Sequence, residues 1–167
     1  EFRTFLRQAC ESFLLKTNLA RLNPADLTPW KVLGRKWHLS RKGFPPGKRV
    51  NWETEVLEEL CELLSDLAPE GQFLWNNQQV VHLMVPKQRQ PWASLHTKRP
   101  DGLDLVLTGP KHQFALGRVA DFGASRSIKT ERPDHDVVKI RFRDLDDVAT
   151  EELTTFLREH LSSVKET

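Results

Sequence analysis

Hydrophobic residues recur at helical spacing in three parts of the chain. The first pattern predicts a helix over residues 2–21, and we expect segment 1–23 to be an N-terminal helix or a linker from a preceding domain. The second pattern runs from Trp52 to Leu67 and predicts a helix that Asn51 caps. The third pattern follows Thr150, which we expect to cap a final helix.

Between the second and third helical patterns, apolar and polar residues alternate with a period of two, which is typical of strands. The segments with this pattern are 72–76, 80–85, 92–98, 103–109 and 136–142. Segment 31–40 is also predicted to be extended, and segment 112–123 to form a short helix. Strands clustered between helices favour an α+β fold over residues 24–167, with an antiparallel β-sheet of about five strands packed against helices.

The composition is that of a globular domain, with 38% hydrophobic and 29% charged residues among 167. No apolar run approaches the roughly 20 residues that span a bilayer, so we expect no membrane partner. Cys10 and Cys61 lie in helical patterns without a CxxC motif, which indicates buried reduced thiols and a cytoplasmic protein. The chain starts without methionine or a signal peptide, and we expect it to be part of a longer protein.

The charged residues are segregated along the chain. Between Leu27 and Trp52 there are seven Lys or Arg residues and no acid, and between Glu53 and Glu70 there are seven acids and no Lys or Arg. Blocks of this kind lie on different surfaces and influence which partners a protein binds.

The basic segment contains the stretch RKGFPPGKR, residues 41–49, which is close to a nucleotide-binding P-loop. It has three residues instead of four between its glycines, and Arg49 stands where that motif has Ser or Thr. Pro45 and Pro46 also lack the backbone N–H groups with which such a loop binds phosphate. We therefore expect no nucleotide cofactor here, and interpret the segment as a stiff loop that presents cations.

The sequence contains no recognised catalytic or metal-binding motif. GxSxG and HExxH are absent, and neither cysteine is adjacent to a histidine. The run Pro133–Asp136 (PDHD) is more typical of a polar turn before a strand than of a metal site. We expect no catalytic residue, no metal and no cofactor.

Aromatic residues are interleaved with the basic block, a combination that can bind phosphates and stack on unpaired bases. Alternation predicts that Trp37 is buried beneath exposed Lys36 and His38. Segment 76–79 (NNQQ) fits a hairpin turn better than a set of base contacts. The candidate nucleic-acid-binding residues are Lys31, Arg35, Lys36, Arg41, Lys42, Lys48, Arg49, Lys98 and Arg99, with Lys111 and Arg118 as further extensions.

Three stretches carry a family resemblance: PWKVLGRKWHLSRKGFPPGKRVNWETEVLEEL, APEGQFLWNNQQVVHLMVP and PWASLHTKRPDGLDLVLTGPKHQFALGRV. They resemble a C-terminal extension of some bacterial UvrA-like excinuclease ABC proteins and their paralogs, over roughly residues 24–165. The resemblance implies a part of a nucleotide excision repair ATPase. The Walker A loops, signature sequence and zinc-binding cysteines of such ATPases have no counterpart here, so ATP hydrolysis is not expected of this segment.

These observations lead to one expected function and two alternatives. The first is a non-catalytic accessory domain of a DNA repair protein, which binds DNA weakly and salt-dependently, or the rest of the repair complex, through its basic surface. The second is a protein-docking domain that uses the acidic helix face or a sheet edge. The third is a small-molecule-binding or enzymatic domain whose pocket between sheet and helices is lined by Trp75, His82, Trp92 and His96.

Overall fold

The computed structural model describes residues 28–114, 126–131 and 133–165. The helices are α1 (Pro29–Leu33), α2 (Arg35–Leu39), α3 (Thr54–Leu67), a 3-10 turn (Leu145–Asp147) and α4 (Glu151–Lys165). The strands are β1 (Gln72–Leu74), β2 (Val80–Met84), β3 (Ala93–His96), β4 (Leu103–Pro110), β5 (Arg126–Glu131) and β6 (His135–Phe142). The predicted N-terminal helix, Cys10, Arg118 and most of the predicted helix at 112–123 lie outside the described residues.

The strands form one antiparallel sheet in the order β1-β2-β3-β4-β6-β5. Consecutive strands from β1 to β4 are neighbours, as the short Asn-, Pro- and Gly-containing connections between them predict. The α+β class and the antiparallel sheet are confirmed. The sheet has one strand more than we expected, because β5 pairs with β6 at the edge and was not predicted.

The core lies between one face of the sheet and helices α3 and α4. Leu57, Leu60 and Leu64 of α3 are completely buried, and so is Leu157 of α4. The strands supply alternate residues to the same hydrophobic cluster, among them Leu105 at the centre of the sheet. Helix α4 begins as predicted, because the Thr150 hydroxyl accepts a hydrogen bond from the Leu153 backbone N–H at 3.3 Å.

The prediction that segment 31–40 is extended was wrong, because it forms the two short helices α1 and α2. Proline occupies the start of α1, where a missing N–H costs nothing, and Gly34 separates the helices with a φ angle of +51°. A five-residue alternation such as KWHLS fits one helical turn as well as a strand. Trp37 is buried as predicted, but His38 is buried beside it and does not join Lys36 on the surface.

The start of α3 also differs from the prediction, because Asn51 does not cap it. The helix begins at Thr54, with Glu53 in the capping position and Glu55 in its first turn. The backbone N–H of Asn51 instead donates to the carbonyl of Pro100 at 2.8 Å. Trp52 is buried, as its place in the apolar pattern predicts, but it lies ahead of the helix.

Candidate nucleic-acid interface

The loop at residues 41–49, called the cationic loop below, connects α2 to the segment before α3. Its four charged side chains, Arg41, Lys42, Lys48 and Arg49, belong to residues that are all solvent-exposed. The backbone N–H of Lys48 donates to the carbonyl of Pro45, so it is already bonded within the loop. The loop therefore presents side-chain cations, while the Lys48 N–H is used within the loop.

The buried side chain of Trp37 packs against this loop. The Trp37 side chain donates its N–H to the carbonyl of Gln78 at 2.8 Å, which ties α2 to the β1–β2 connection. Gly43 lies directly against the Trp37 ring, where a Cβ atom would be 2.4 Å from Cζ2. The φ angle of Gly43 is +83°, a conformation that L side chains rarely adopt. Glycine is required here both for space and for backbone conformation.

Lys98 does not extend the exposed cationic surface, which corrects that prediction. It is 5% exposed, and its ammonium donates to the carbonyls of Trp37 at 2.7 Å, His38 at 3.2 Å and Ser40 at 2.9 Å. Its Nζ also lies 5.4 Å from the Trp37 ring centroid and 5.0 Å from that of Phe44. Burial, and secondarily the charge of Arg41, lower the pKa of Lys98 to about 8. Lys98 therefore bonds the end of α2 and cannot contact a phosphate in this structure.

The cationic loop and the turn after Lys98 are joined into one surface. The Trp52 indole donates to the carbonyl of Arg99 at 2.8 Å, and Arg41 Nη1 donates to the carbonyl of Trp52 at 2.9 Å. The Phe44 and Trp52 rings are in contact, with centroids 6.2 Å apart. Arg99 is thus held next to the loop, although its position is remote in sequence.

These segments line a polar cleft of about 370 Å³. Its walls are formed by Arg41, Arg49, Val50, Asn51, Trp52, Glu53, Arg143 and Asp144. The carboxylates in the cleft offset part of the positive potential of its three guanidinium groups, so an anion would be bound weakly.

Sequence reasoning missed Arg143, which follows β6 and donates from Nε to the carbonyl of Asp101 at 2.9 Å. A signal was present in the sequence. Lys139, Arg141 and Arg143 alternate with Ile140 and Phe142, which places the three cations on one side of the strand and its extension.

The remaining predicted cations do not all belong to the same surface as the cationic loop. Lys31, Arg35 and Lys36 are exposed on α1 and α2, and Arg35 pairs with Glu58 of α3 at 3.5 Å. Lys111 follows the end of β4 that is remote from the cationic loop. The two ends of this eight-residue strand are about 25 Å apart, at roughly 3.3 Å per residue. Lys111 therefore does not extend the same surface.

The structure does not bring the residues of the predicted pocket together, because Trp92 lies on one face of the sheet and His82 and His96 lie on the other. Trp92 is buried on the helix side and donates its indole N–H to His160 Nδ1 of α4 at 2.8 Å. Trp75 contacts the ring of His38, with centroids 5.7 Å apart. His82 and His96 alternate with core residues of β2 and β3, so they point to the other face.

The 76–79 segment forms a turn, and the 133–136 segment bends at Pro133 and Asp134 before it enters β6 at His135. In the 76–79 segment, the Asn77 side chain accepts a hydrogen bond from the Gln79 N–H at 3.1 Å, an Asx turn between β1 and β2. In the 133–136 segment, His135 Nδ1 lies 2.6 Å from the Asp134 carboxylate, and buried Asp136 accepts from the His112 N–H at 2.6 Å. Within the described ranges, no three or more His, Cys, Asp or Glu residues are grouped so as to hold a metal ion.

No protein-family model, curated protein or solved structure matches this chain. In the part of the chain that the structure describes, no helix has both the length and the apolar character needed to cross a membrane. The surface formed by the cationic loop, Arg99 and Arg143 is the candidate functional site.

Proposed function

We propose that this chain is a non-catalytic accessory domain of a UvrA-like excinuclease ABC protein of nucleotide excision repair and binds nucleic acid, chiefly DNA, through the cationic loop. The observation that carries the proposal is the combination of four exposed cations with a buried support. Lys98, Trp37 and Phe44 hold the loop backbone in one conformation, so little conformational entropy is lost when the side chains meet phosphates.

The chemistry of the loop is that of sequence-independent phosphate contact. Arginine and lysine side chains bind phosphate oxygens, and they release counterions from the nucleic acid when they do so. Glu53 and Asp144 lie in the same cleft as three of the arginines, which favours weak over tight binding. The free buried thiol of Cys61 supports a reducing compartment, and we place the protein in the cytoplasm.

The test is the salt dependence of DNA binding, measured by fluorescence anisotropy on duplex and single-stranded oligonucleotides. We expect dissociation constants of about 10⁻⁴ to 10⁻⁶ M at physiological salt for this kind of contact. In the variant Arg41→Ala, Lys42→Ala, Lys48→Ala, Arg49→Ala, the slope of log affinity against log salt should fall by about 0.9 for each duplex phosphate that is no longer neutralised.

A matched control variant carries the same change of net charge elsewhere on the surface. Lys87→Ala, Arg89→Ala, Lys111→Ala and Arg158→Ala all replace exposed residues outside the cationic loop and the cleft. The control should retain most of the binding and its salt slope. Equal losses in both variants would mean that only net charge matters. No binding of the unmodified chain at low salt would overturn the proposal and favour docking to another part of the repair complex.

A further inference from the structure

The second face of the sheet, called the open face below, is lined by polar residues. Core residues such as Val81, Leu95 and Ile140 are 0–1% exposed and point toward α3 and α4. The residues that alternate with them therefore point away from these helices. The polar members of the open face are His82, Ser94, His96, Asp104, Lys139 and Arg141.

The strand register brings these residues into two neighbouring rows across the sheet. In one row His82 is opposite Ser94, which is opposite Val106, which is opposite Lys139. His82 Nδ1 and the Ser94 hydroxyl are hydrogen-bonded at 2.9 Å. In the adjacent row the order is Val80, His96, Asp104 and Arg141. Residues in adjacent rows are close enough for long side chains to touch the same ligand.

The Asp104 carboxylate fixes two guanidinium groups at this face. It is fully buried, it accepts two hydrogen bonds from Arg141 at 2.6 and 3.0 Å, and it lies 3.3 Å from Arg99 Nε. Lys139 adds a third cation, so the three cations outnumber the two carboxylates near them, which are Asp104 and Asp101, whose charge also acts on Arg141. Burial lowers the pKa of both His82 and His96, so their rings are neutral at pH 7.

Arg99 connects the open face to the cationic loop. Its backbone carbonyl accepts the hydrogen bond from the Trp52 indole on the loop side, while its guanidinium pairs with Asp104 on the sheet side. An anionic strand that contacts the loop can therefore continue past Arg99 onto the open face.

We propose that the open face binds a single-stranded nucleic acid, with unpaired bases against the His82 and His96 rings and phosphates at Lys139 and Arg99. The proposal rests on the proposed function and adds to it a preference for unpaired strands. The excess positive charge complements the phosphates, and the neutral imidazoles with Val80 and Val106 offer a surface to base faces. A duplex keeps its base faces stacked inside and presents its phosphates alone to a flat sheet.

The first test compares Lys139→Glu with Lys111→Glu in the 167-residue chain. Lys111 is exposed beyond the far end of β4, so its variant matches the change in charge without touching the open face. Lys139→Glu should weaken binding to an oligodeoxythymidine of about 12 nucleotides by roughly tenfold or more, the size expected when one nucleotide is no longer held. The affinity for duplex DNA should change by about twofold or less for either variant, because duplex binding depends on the cationic loop.

Circular dichroism checks that Lys139→Glu is folded, and Lys139→Gln serves in its place if it is not. A second measurement needs no substitution: the NMR signals of the His82 and His96 rings should shift on titration with oligodeoxythymidine and stay unchanged with the duplex. Unshifted ring signals with the single strand would overturn the inference. So would an equal loss of single-strand and duplex binding in Lys139→Glu.

These outcomes are separable from failure of the proposed function. If the loop variant weakens all DNA binding while Lys139→Glu and the histidine signals are unaffected, the open face is not a binding surface and the loop remains one. If the unmodified chain binds neither oligonucleotide at low salt, both proposals fail together.

Discussion

At the scale of single residues, Lys98 is a charged side chain that stabilises the cationic loop from a buried position. Its ammonium bonds three carbonyls at the end of α2, and its position between the Trp37 and Phe44 rings links the helix to the loop. Three hydrogen bonds satisfy every N–H of the ammonium and offset the cost of burying its charge.

Gly43 provides a test of how the loop is supported. Gly43→Ala should destabilise the protein by at least about 2 kcal/mol, because the new methyl group meets the Trp37 ring and the backbone is strained. Gly47→Ala is the control, since Gly47 has a similar φ angle of +72° but no atom within 4 Å of the place where a methyl group would lie. Gly47→Ala should lower the free energy of unfolding by about 1 kcal/mol, because it introduces backbone strain but no steric contact. Urea denaturation measures both, and equal losses would show that contact with Trp37 does not matter.

At the scale of elements, helix α3 is held by its apolar stripe. Val56, Leu57, Leu60 and Leu64 are at most 1% exposed, and they face the core between the sheet and α4. The opposite side of the helix carries exposed acids such as Glu59 and Glu62. The helix therefore separates the acidic surface from the core.

Leu60→Ala should destabilise the fold by roughly 2–5 kcal/mol, because it removes a fully buried side chain and leaves a cavity. Glu59→Ala in the same helix is the control and should change stability by about 0.5 kcal/mol or less, since Glu59 is exposed. The midpoint and slope of urea unfolding give both values. An unchanged midpoint in Leu60→Ala would contradict the burial of Leu60 in the core.

At the scale of the whole molecule, two buried histidines on different helices make the fold sensitive to acid. Burial, and then the charge of Lys98, lower the pKa of His38 to about 4, and burial lowers the pKa of His160 to about 4. The unfolded chain binds protons at these sites near pH 6.5, before the folded protein does. The stability that these two histidines contribute is therefore present above pH 6.5 and decreases as the pH falls toward 4.

We expect the free energy of unfolding to fall by roughly 1 kcal/mol per histidine between pH 7 and pH 5.5, a range above the titration of most carboxylates. In His160→Gln the decrease should be smaller by roughly 1 kcal/mol, because glutamine does not titrate but can still accept the Trp92 N–H bond. Urea unfolding at several pH values measures the slope. A free energy of unfolding that is constant over this range would contradict the prediction.

The sequence by itself determined the elements whose evidence is local. The apolar stripe from Val56 to Leu64 specifies α3, the Thr150 hydroxyl specifies the start of α4, and period-two patterns specify most of the strands. These signals depend on residues two to four positions apart, so they can be read without knowing the fold. The exposure of the four loop cations was also predictable, since a proline- and glycine-rich segment that connects two elements lies at the surface.

Only the tertiary structure decided which distant residues meet. Lys98 is buried because the end of α2, about 60 positions earlier, packs over it and offers carbonyls to its ammonium. The four residues of the predicted pocket were separated because the sheet has two faces, and Trp92, just before β3, turns toward α4. Arg143 lines the same cleft as Arg41 and Arg49 of the cationic loop, and its Nε bonds the carbonyl of Asp101 in the turn before β4. Each outcome depends on long-range packing, which local spacing does not encode.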